Sequence, residues 1–241
     1  MTEGRKILYR AVQWVTSVFR RWFNPEAEEI TLPSGRYELA AEAMHALTQA
    51  VEAAVSIHRT EAVDKTAVEV VSLLSRSMTC VHDEVSNAES LQLLQEAVNK
   101  AHLLAEQGYK GYAQALGKSV TFSYLVPPGV TEGLVLPELL RSYGSAAEQP
   151  LARLARETGI VDPTQPDDRT ARLFISWMEQ QRVVLGLPDH IKQLRQADIE
   201  DIIDDAFEEA APMYPVPVLY DAIELEQFLA PLLASNKSKI D

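Results

Sequence analysis

The sequence predicts an all-α fold, a helical bundle, and three observations support that class. Between Leu39 and Ser56, apolar residues recur three and four positions apart, with no glycine or proline to interrupt them. The same helical spacing returns along most of the chain. Capping-box sequences, in which a serine or aspartate precedes a glutamate by three positions, open two later segments at Ser86 and Asp221.

Length, charge and cysteine content narrow the class of protein. A chain of 241 residues can bury a substantial core, as one large domain or two small ones. Its net charge of -13 argues against nonspecific binding to nucleic acid. The single cysteine, Cys80, excludes an intrachain disulfide and favours a reducing, cytoplasmic setting. No uninterrupted apolar run reaches the roughly 18–20 residues that span a bilayer.

Residues 1–23 form a separate amphipathic segment that is predicted to be a helix. One side carries an apolar stripe and the opposite side carries arginines. The stripe comprises Leu8, Val12, Val15, Phe19 and Trp22, and the basic side includes Arg10, Arg20 and Arg21. After Glu3 the segment contains no acid, so its charge is opposite to that of the remaining chain. The pattern fits a helix docked on its own domain, a partner-binding helix or a helix on a membrane surface, and all three remain open.

Residues 24–231 are predicted to form the helical domain, and residues 232–241 a polar tail. A linker with turn residues at both ends, over residues 24–35, leads into the domain. Between Gly117 and Pro127 the chain is expected to be extended for a short distance. Helices are predicted over residues 39–56, 61–80, 86–107, 150–159, 170–184, 198–210 and from 221 onward.

Three motifs in this domain resemble those of a known family. The stretch from Ala46 to Ala53 is similar to the T-G-x-D-A-x-T-H-A-x-E-A helix of the iron-containing alcohol dehydrogenases. The stretches Lys110–Gly117 and Pro127–Glu132 resemble the family's H-x-x-A-H-x-L-G and P-H-G-x-A-N. Degenerate matches continue in the same order across residues 24–231. The resemblance implies the C-terminal helical domain of that family, which has a dehydroquinate synthase-like fold.

The resemblance also implies where a metal would be held, on one carboxylate and three imidazoles. This sequence has His45, Gln49, Lys110 and Pro128 at those four positions. Proline has no side-chain donor, and a protonated lysine has no free lone pair. One imidazole is too few, because a catalytic zinc ion takes about three ligands from the protein. We therefore expect no bound metal and no catalytic residue at these positions.

The nucleotide cofactor of the family has no recognisable site in this sequence. None of the ten glycines belongs to a G-x-G-x-x-G phosphate loop. The nucleotide-binding α/β domain, which the resemblance places before the helical domain, is expected to have no room in residues 1–23. We therefore expect no bound NAD or NADP, and we assign no enzyme activity.

These losses favour a noncatalytic binding or assembly protein derived from the metal-binding helical domain of the family. The predicted partner is another protein or a second copy of the chain, with peripheral membrane contact through residues 1–23 left open. One alternative is a dehydrogenase component whose nucleotide-binding half is a separate chain. Another is a small-molecule binder that uses the former substrate cleft, lined by Gln49, Gln114 and Tyr124. Gln114 stands where the resemblance places the histidine beside the substrate.

Overall fold

The computed structural model describes residues 32–33, 35–82, 88–209 and 214–233, without the side chains of residues 79–82. The predicted helix of residues 1–23 lies outside this part of the chain. So do most of the linker, the capping box at Ser86 and residues 234–241 of the predicted tail.

The described ranges are helical almost throughout. The α-helices are α1 Arg36–Val55, α2 Glu61–His82, α3 Ala88–Glu106, α4 Tyr112–Tyr124, α5 Pro128–Tyr143, α6 Ser145–Glu157, α7 Asp167–Val184, α8 Ile199–Glu209 and α9 Ala222–Leu229. Two short 3-10 helices, Gln196–Asp198 and Ala230–Leu232, accompany them. Within these ranges, the only β-type pairing is an isolated bridge between Ile191 and Leu233. The all-α prediction is confirmed. No described helix is both long and apolar enough to cross a membrane.

Helix α1 is the centre of the bundle. From Leu39 to Val55 nearly every residue is buried, as the unbroken apolar periodicity of this stretch predicts. Its neighbours are α2, α3 and α5, with α6 in further contact. The small side chains of Ala43, Ala46 and Ala50 are fully buried, which lets these helices approach α1 closely on several sides. The polar side chains of His45, Gln49 and Glu52 on α1 therefore lie in the core.

Two glycines bring α5 against α1. A methyl group at Gly129 would overlap the carbonyl oxygen of Ala41 and lie 2.8 Å from the backbone nitrogen of His45. One turn later, a methyl group at Gly133 would lie 2.8 Å from Cγ of Met44. The spacing of four residues places both glycines on the same face of α5. A residue three positions after Gly129 shares this face, so its side chain lies opposite the middle of α1.

The expected extended piece after Gly117 is wrong, because α4 continues to Tyr124. The hydroxyl groups of Ser119 and Thr121 donate to the carbonyls of Ala115 and Gly117, at 3.1 and 2.7 Å. These residues therefore satisfy their polar groups within the helix instead of favouring an extended chain. The helix ends at Leu125, which has a left-handed backbone with φ of 55°.

Helix α6 begins earlier than predicted, and α9 begins where it was expected. Gly144, with φ of 52°, turns the chain so sharply that α6 starts two residues after α5 ends, instead of at Pro150. For α9, the capping box is confirmed: the backbone N–H of Glu224 donates to Asp221, and the backbone N–H of Asp221 donates to Glu224, each at 2.9 Å. The capping residues therefore predict where α9 starts, whereas the start of α6 depends on the turn at Gly144.

Candidate functional site

A buried acid–imidazole pair joins α1 to α5. Nδ1 of His45 lies 2.7 and 2.9 Å from the two carboxylate oxygens of Glu132. The Glu132 side chain is completely buried, and only a tenth of the His45 side chain is exposed. Glu132 lies between Gly129 and Gly133, so the glycine face of α5 brings its carboxylate to the imidazole.

Gln49 occupies the other side of the imidazole, one turn further along α1. Its amide nitrogen lies 3.1 Å from Nε2 of His45. The tautomer that satisfies both contacts carries its proton on Nδ1, donates it to Glu132 and accepts the Gln49 amide at Nε2. The amide oxygen of Gln49 is buried and has no hydrogen-bond partner. Both ring nitrogens of His45 are therefore used within the protein.

A second buried carboxylate, Glu52, holds the start of α4. It accepts hydrogen bonds from the backbone N–H groups of Gly111 and Ala113, at 3.1 and 2.8 Å, and from the side-chain amide of Gln114, at 2.8 Å. The first N–H groups of a helix lack partners within the helix, so a carboxylate here caps α4 and meets its positive dipole end. Gly111 is required at this point, because a methyl group would overlap the Glu52 carboxylate.

Burial controls the protonation of Glu52. It raises the pKa of the carboxyl group from 4.5 to about 7, although the hydrogen bonds from Gln114 and Ala113 act in the opposite direction. The negative charge of Glu132 raises the pKa of Glu52 further. The two carboxylates therefore belong to one electrostatic cluster along α1.

The other two positions of the implied metal site have different contacts. The ammonium group of Lys110 pairs with the carboxylate of Glu209 on α8 at 3.5 Å, and Lys118 pairs with the same carboxylate. Pro128 is the first residue of α5, directly before the glycine that packs on α1. It offers no donor atom.

These residues do not fit the metal that the resemblance implies. The imidazole of His45 is engaged at both nitrogens, Gln49 offers an amide oxygen, and Lys110 is paired with Glu209. First-row divalent metals favour imidazole, thiolate or carboxylate ligands gathered in one place. Among the described residues, no group of three or more such side chains could hold a metal ion.

The structure groups Gln49 and Gln114 with the polar side chains of α1 but places Tyr124 elsewhere. Tyr124 lies ten residues beyond Gln114 on α4, which corresponds to about 15 Å along a helix axis. Its hydroxyl group bonds with Asp198 and accepts the backbone N–H of Arg195 at 3.2 Å. These contacts tie the end of α4 to the segment before α8. The three residues predicted for a small-molecule cleft therefore do not line one common surface.

Glu132 is the site residue that sequence reasoning missed. The sequence did contain a signal, because an acid between two glycines four residues apart lies on the closely packed face of a helix. An isolated glutamate is usually exposed, however, so its burial depends on a partner from another helix. That partner, His45, is 87 residues away in the chain.

Comparison with known proteins identifies the family. The Fe-containing alcohol dehydrogenase family, C-terminal, matches residues 39–227 of the chain. The chain belongs to this family. The resemblance noted in the sequence is thereby confirmed for the helical domain.

Relatives and solved structures agree with this assignment. The chain is 25% identical over 200 residues to the bifunctional aldehyde-alcohol dehydrogenase AdhE of Escherichia coli strain K12, covering 72% of this chain and 22% of that protein. It is 26% identical over 161 residues to the 1,3-propanediol dehydrogenase of Citrobacter freundii, covering 66% and 42%.

Among solved structures, an alcohol dehydrogenase from Oenococcus oeni matches with a TM-score of 0.68 and 24% identity, over 81% of this chain and 52% of that one. A 1,3-propanediol oxidoreductase matches with a TM-score of 0.69 and 22% identity, over 83% and 53%. These likenesses show the fold. The chain spans about half the length of the solved relatives and less than half of the curated ones.

Proposed function

We propose that the chain is a noncatalytic binding or assembly protein built on the helical domain of the iron-containing alcohol dehydrogenases. One observation carries this proposal: His45, at the position of the family's metal-binding aspartate, is hydrogen-bonded at both ring nitrogens to Glu132 and Gln49. A side chain that is held at both nitrogens has no lone pair left for a metal ion.

The chemistry at the remaining positions supports the same conclusion. A metal in this family's reaction would polarise the carbonyl group of a substrate and stabilise the alkoxide. Neither Lys110, paired with Glu209, nor Pro128 can supply a ligand for it. The side chains around α1 instead stabilise the fold, since Glu52 caps α4 and Glu132 pairs with His45.

The outer surface supports a role in binding. Ile57, Leu219 and Ile223 are each more than half exposed. The backbone N–H of Ile57 donates to the carbonyl of Pro215 at 2.9 Å, so Ile57 lies beside the segment that leads to the other two residues. We propose that these three side chains contribute to one surface that contacts another protein, as contiguous apolar patches do. The proposed partner is a protein, either a different chain or a second copy of this one.

Metal analysis of the purified chain tests the noncatalytic part of this proposal. We expect no stoichiometric iron or zinc, in the wild type or in His190→Ala, a control at the surface. About one tightly held metal ion per chain, lost specifically in His45→Ala, would contradict the proposal and favour the dehydrogenase alternative. Sedimentation velocity over a range of protein concentrations then distinguishes self-association from a partner of another kind.

A further inference from the structure

We infer that the His45–Glu132 pair is a metal-free clamp, which joins α1 and α5 at the place where the family resemblance implies a metal. A metal ion can link helices by taking ligands from each of them. Here the same two helices are linked by a side chain of α1 and a side chain of α5 that bond directly to each other.

The geometry of the pair supports a clamp. Both carboxylate oxygens of Glu132 lie within 2.9 Å of the same nitrogen of His45. Gln49 approaches the opposite nitrogen at 3.1 Å, which fixes the plane of the imidazole ring. The carboxylate of the pair is out of contact with bulk water, since the Glu132 side chain is fully buried.

The neighbouring backbone makes room for the acid. A methyl group at Gly117 on α4 would lie 2.7 Å from Cγ of Glu132. The methylene groups of Glu132 therefore occupy the space that a larger residue on α4 would fill. On the α1 side, Gly129 brings the two helix backbones together next to His45. Three helices thus define the position of the pair.

The acid of the pair stands on α5, whereas the motif that α1 resembles has its acid at the position of His45. In this chain the carboxylate is on α5 and its partner is on α1. One hydrogen-bonded pair therefore joins the two helices directly.

A clamp predicts a characteristic pattern of stabilities. Removal of one member leaves a buried polar or charged group without its partner, which is strongly destabilising. Replacement of both members by apolar residues of similar volume leaves neither member unpaired, and only the Gln49 amide loses its contact with His45. Its cost is therefore smaller than the sum of the single changes. A metal-stabilised site would instead respond to chelators and added metal ions.

Thermal unfolding of four variants of the full chain tests the inference. We expect His45→Leu and Glu132→Met each to lower Tm by about 10 °C, and the double variant to lower it by clearly less than the sum of the two. Glu132→Gln, which keeps the shape of the side chain, provides a milder single change in case Glu132→Met does not fold. EDTA or added zinc is expected to leave the Tm of the wild type unchanged.

Arg141→Leu is the matched control, because Arg141 is on the same helix and forms partly exposed ion pairs with Glu138 and Glu179. Its Tm is expected to stay close to that of the wild type. Additive effects of the two clamp substitutions would overturn the inference. So would a Tm for Glu132→Gln and Glu132→Met equal to that of the wild type, or a fall in the wild-type Tm on addition of EDTA.

Discussion

The carboxylate of Glu52 accepts a hydrogen bond of 2.8 Å from the backbone N–H of Ala113, across 61 residues of sequence. This bond couples the end of the central helix to the first turn of α4. Because the carboxylate is buried, its ionisation is linked to the stability of the whole fold.

The first prediction concerns this linkage. The pKa of Glu52 is raised from 4.5 to about 7, so the folded state binds its proton more tightly than the unfolded chain does. The proton that Glu52 binds in the folded state stabilises the fold fully below about pH 4.5, and this stabilisation is lost as the pH rises through 7. Relative to Glu52→Gln, the wild type should therefore lose up to about 3 kcal/mol between pH 5 and pH 8.

Urea unfolding of both proteins at several pH values in this range measures the difference. Other groups that titrate in the same window are present in both proteins and cancel. Glu138→Gln, at an exposed glutamate on α5, is the control and should show no comparable trend. A difference between the wild type and Glu52→Gln that is independent of pH, or that grows in favour of the wild type at high pH, would contradict the prediction.

The second prediction concerns the contact between α1 and α5. Gly129→Ala should destabilise the protein by about 3 kcal/mol, because the new methyl group meets the backbone carbonyl of Ala41, which cannot move aside. Gly133→Ala is the paired control, since its methyl group meets Cγ of the Met44 side chain at 2.8 Å and no backbone atom. In Gly133→Ala, the higher helix propensity of alanine, about 1 kcal/mol, should offset much of the cost of this contact. Equal stabilities of the two variants in urea would refute this account of the helix contact.

The third prediction concerns nucleotide binding, and it rests on the absence of a phosphate loop from the sequence. Isothermal titration of the purified chain with NAD and with NADP should show no binding. Micromolar affinity for either nucleotide would reveal a site that the sequence pattern does not predict. Binding that requires a second protein would support the alternative in which a separate chain supplies the nucleotide-binding half.

The fourth prediction concerns residues 1–23, whose structure is not described. Their apolar stripe and their positive charge, opposite to that of the remaining chain, favour docking on the helical domain or on a second copy. Deletion of this segment should lower solubility or change the oligomeric state, as measured by sedimentation velocity. If the shortened protein stays monomeric and equally stable while a peptide of residues 1–23 binds anionic vesicles, the membrane interpretation is correct instead.

The sequence predicted correctly those helices that depend on residues close together in the chain. The central helix is evident from its periodicity between Leu39 and Val55, and α9 from the reciprocal capping of Asp221 and Glu224. The length of α4 was missed because Val120, Thr121 and Phe122 favour an extended chain by propensity. In the structure, the hydroxyl groups of Ser119 and Thr121 bond to backbone carbonyls one turn earlier.

The candidate site was predicted only in part, because its bonds join distant segments. Helical spacing alone places His45, Gln49 and Glu52 on one face of α1. It did not identify Glu132, because a buried glutamate depends on a partner contributed by the fold. The pairing of Lys110 with Glu209 likewise joins α8 to the start of α4, over 99 residues.

The glycines beside the polar cluster connect its two acids to the packing of the helices. Gly129 packs on the backbone of α1, and Gly111 and Gly117 leave room for the side chains of Glu52 and Glu132. A larger residue at Gly111 or Gly117 would therefore meet the acid that faces it. Redesign of this cluster has to treat position 52 with 111, and position 132 with 117, as pairs that change together.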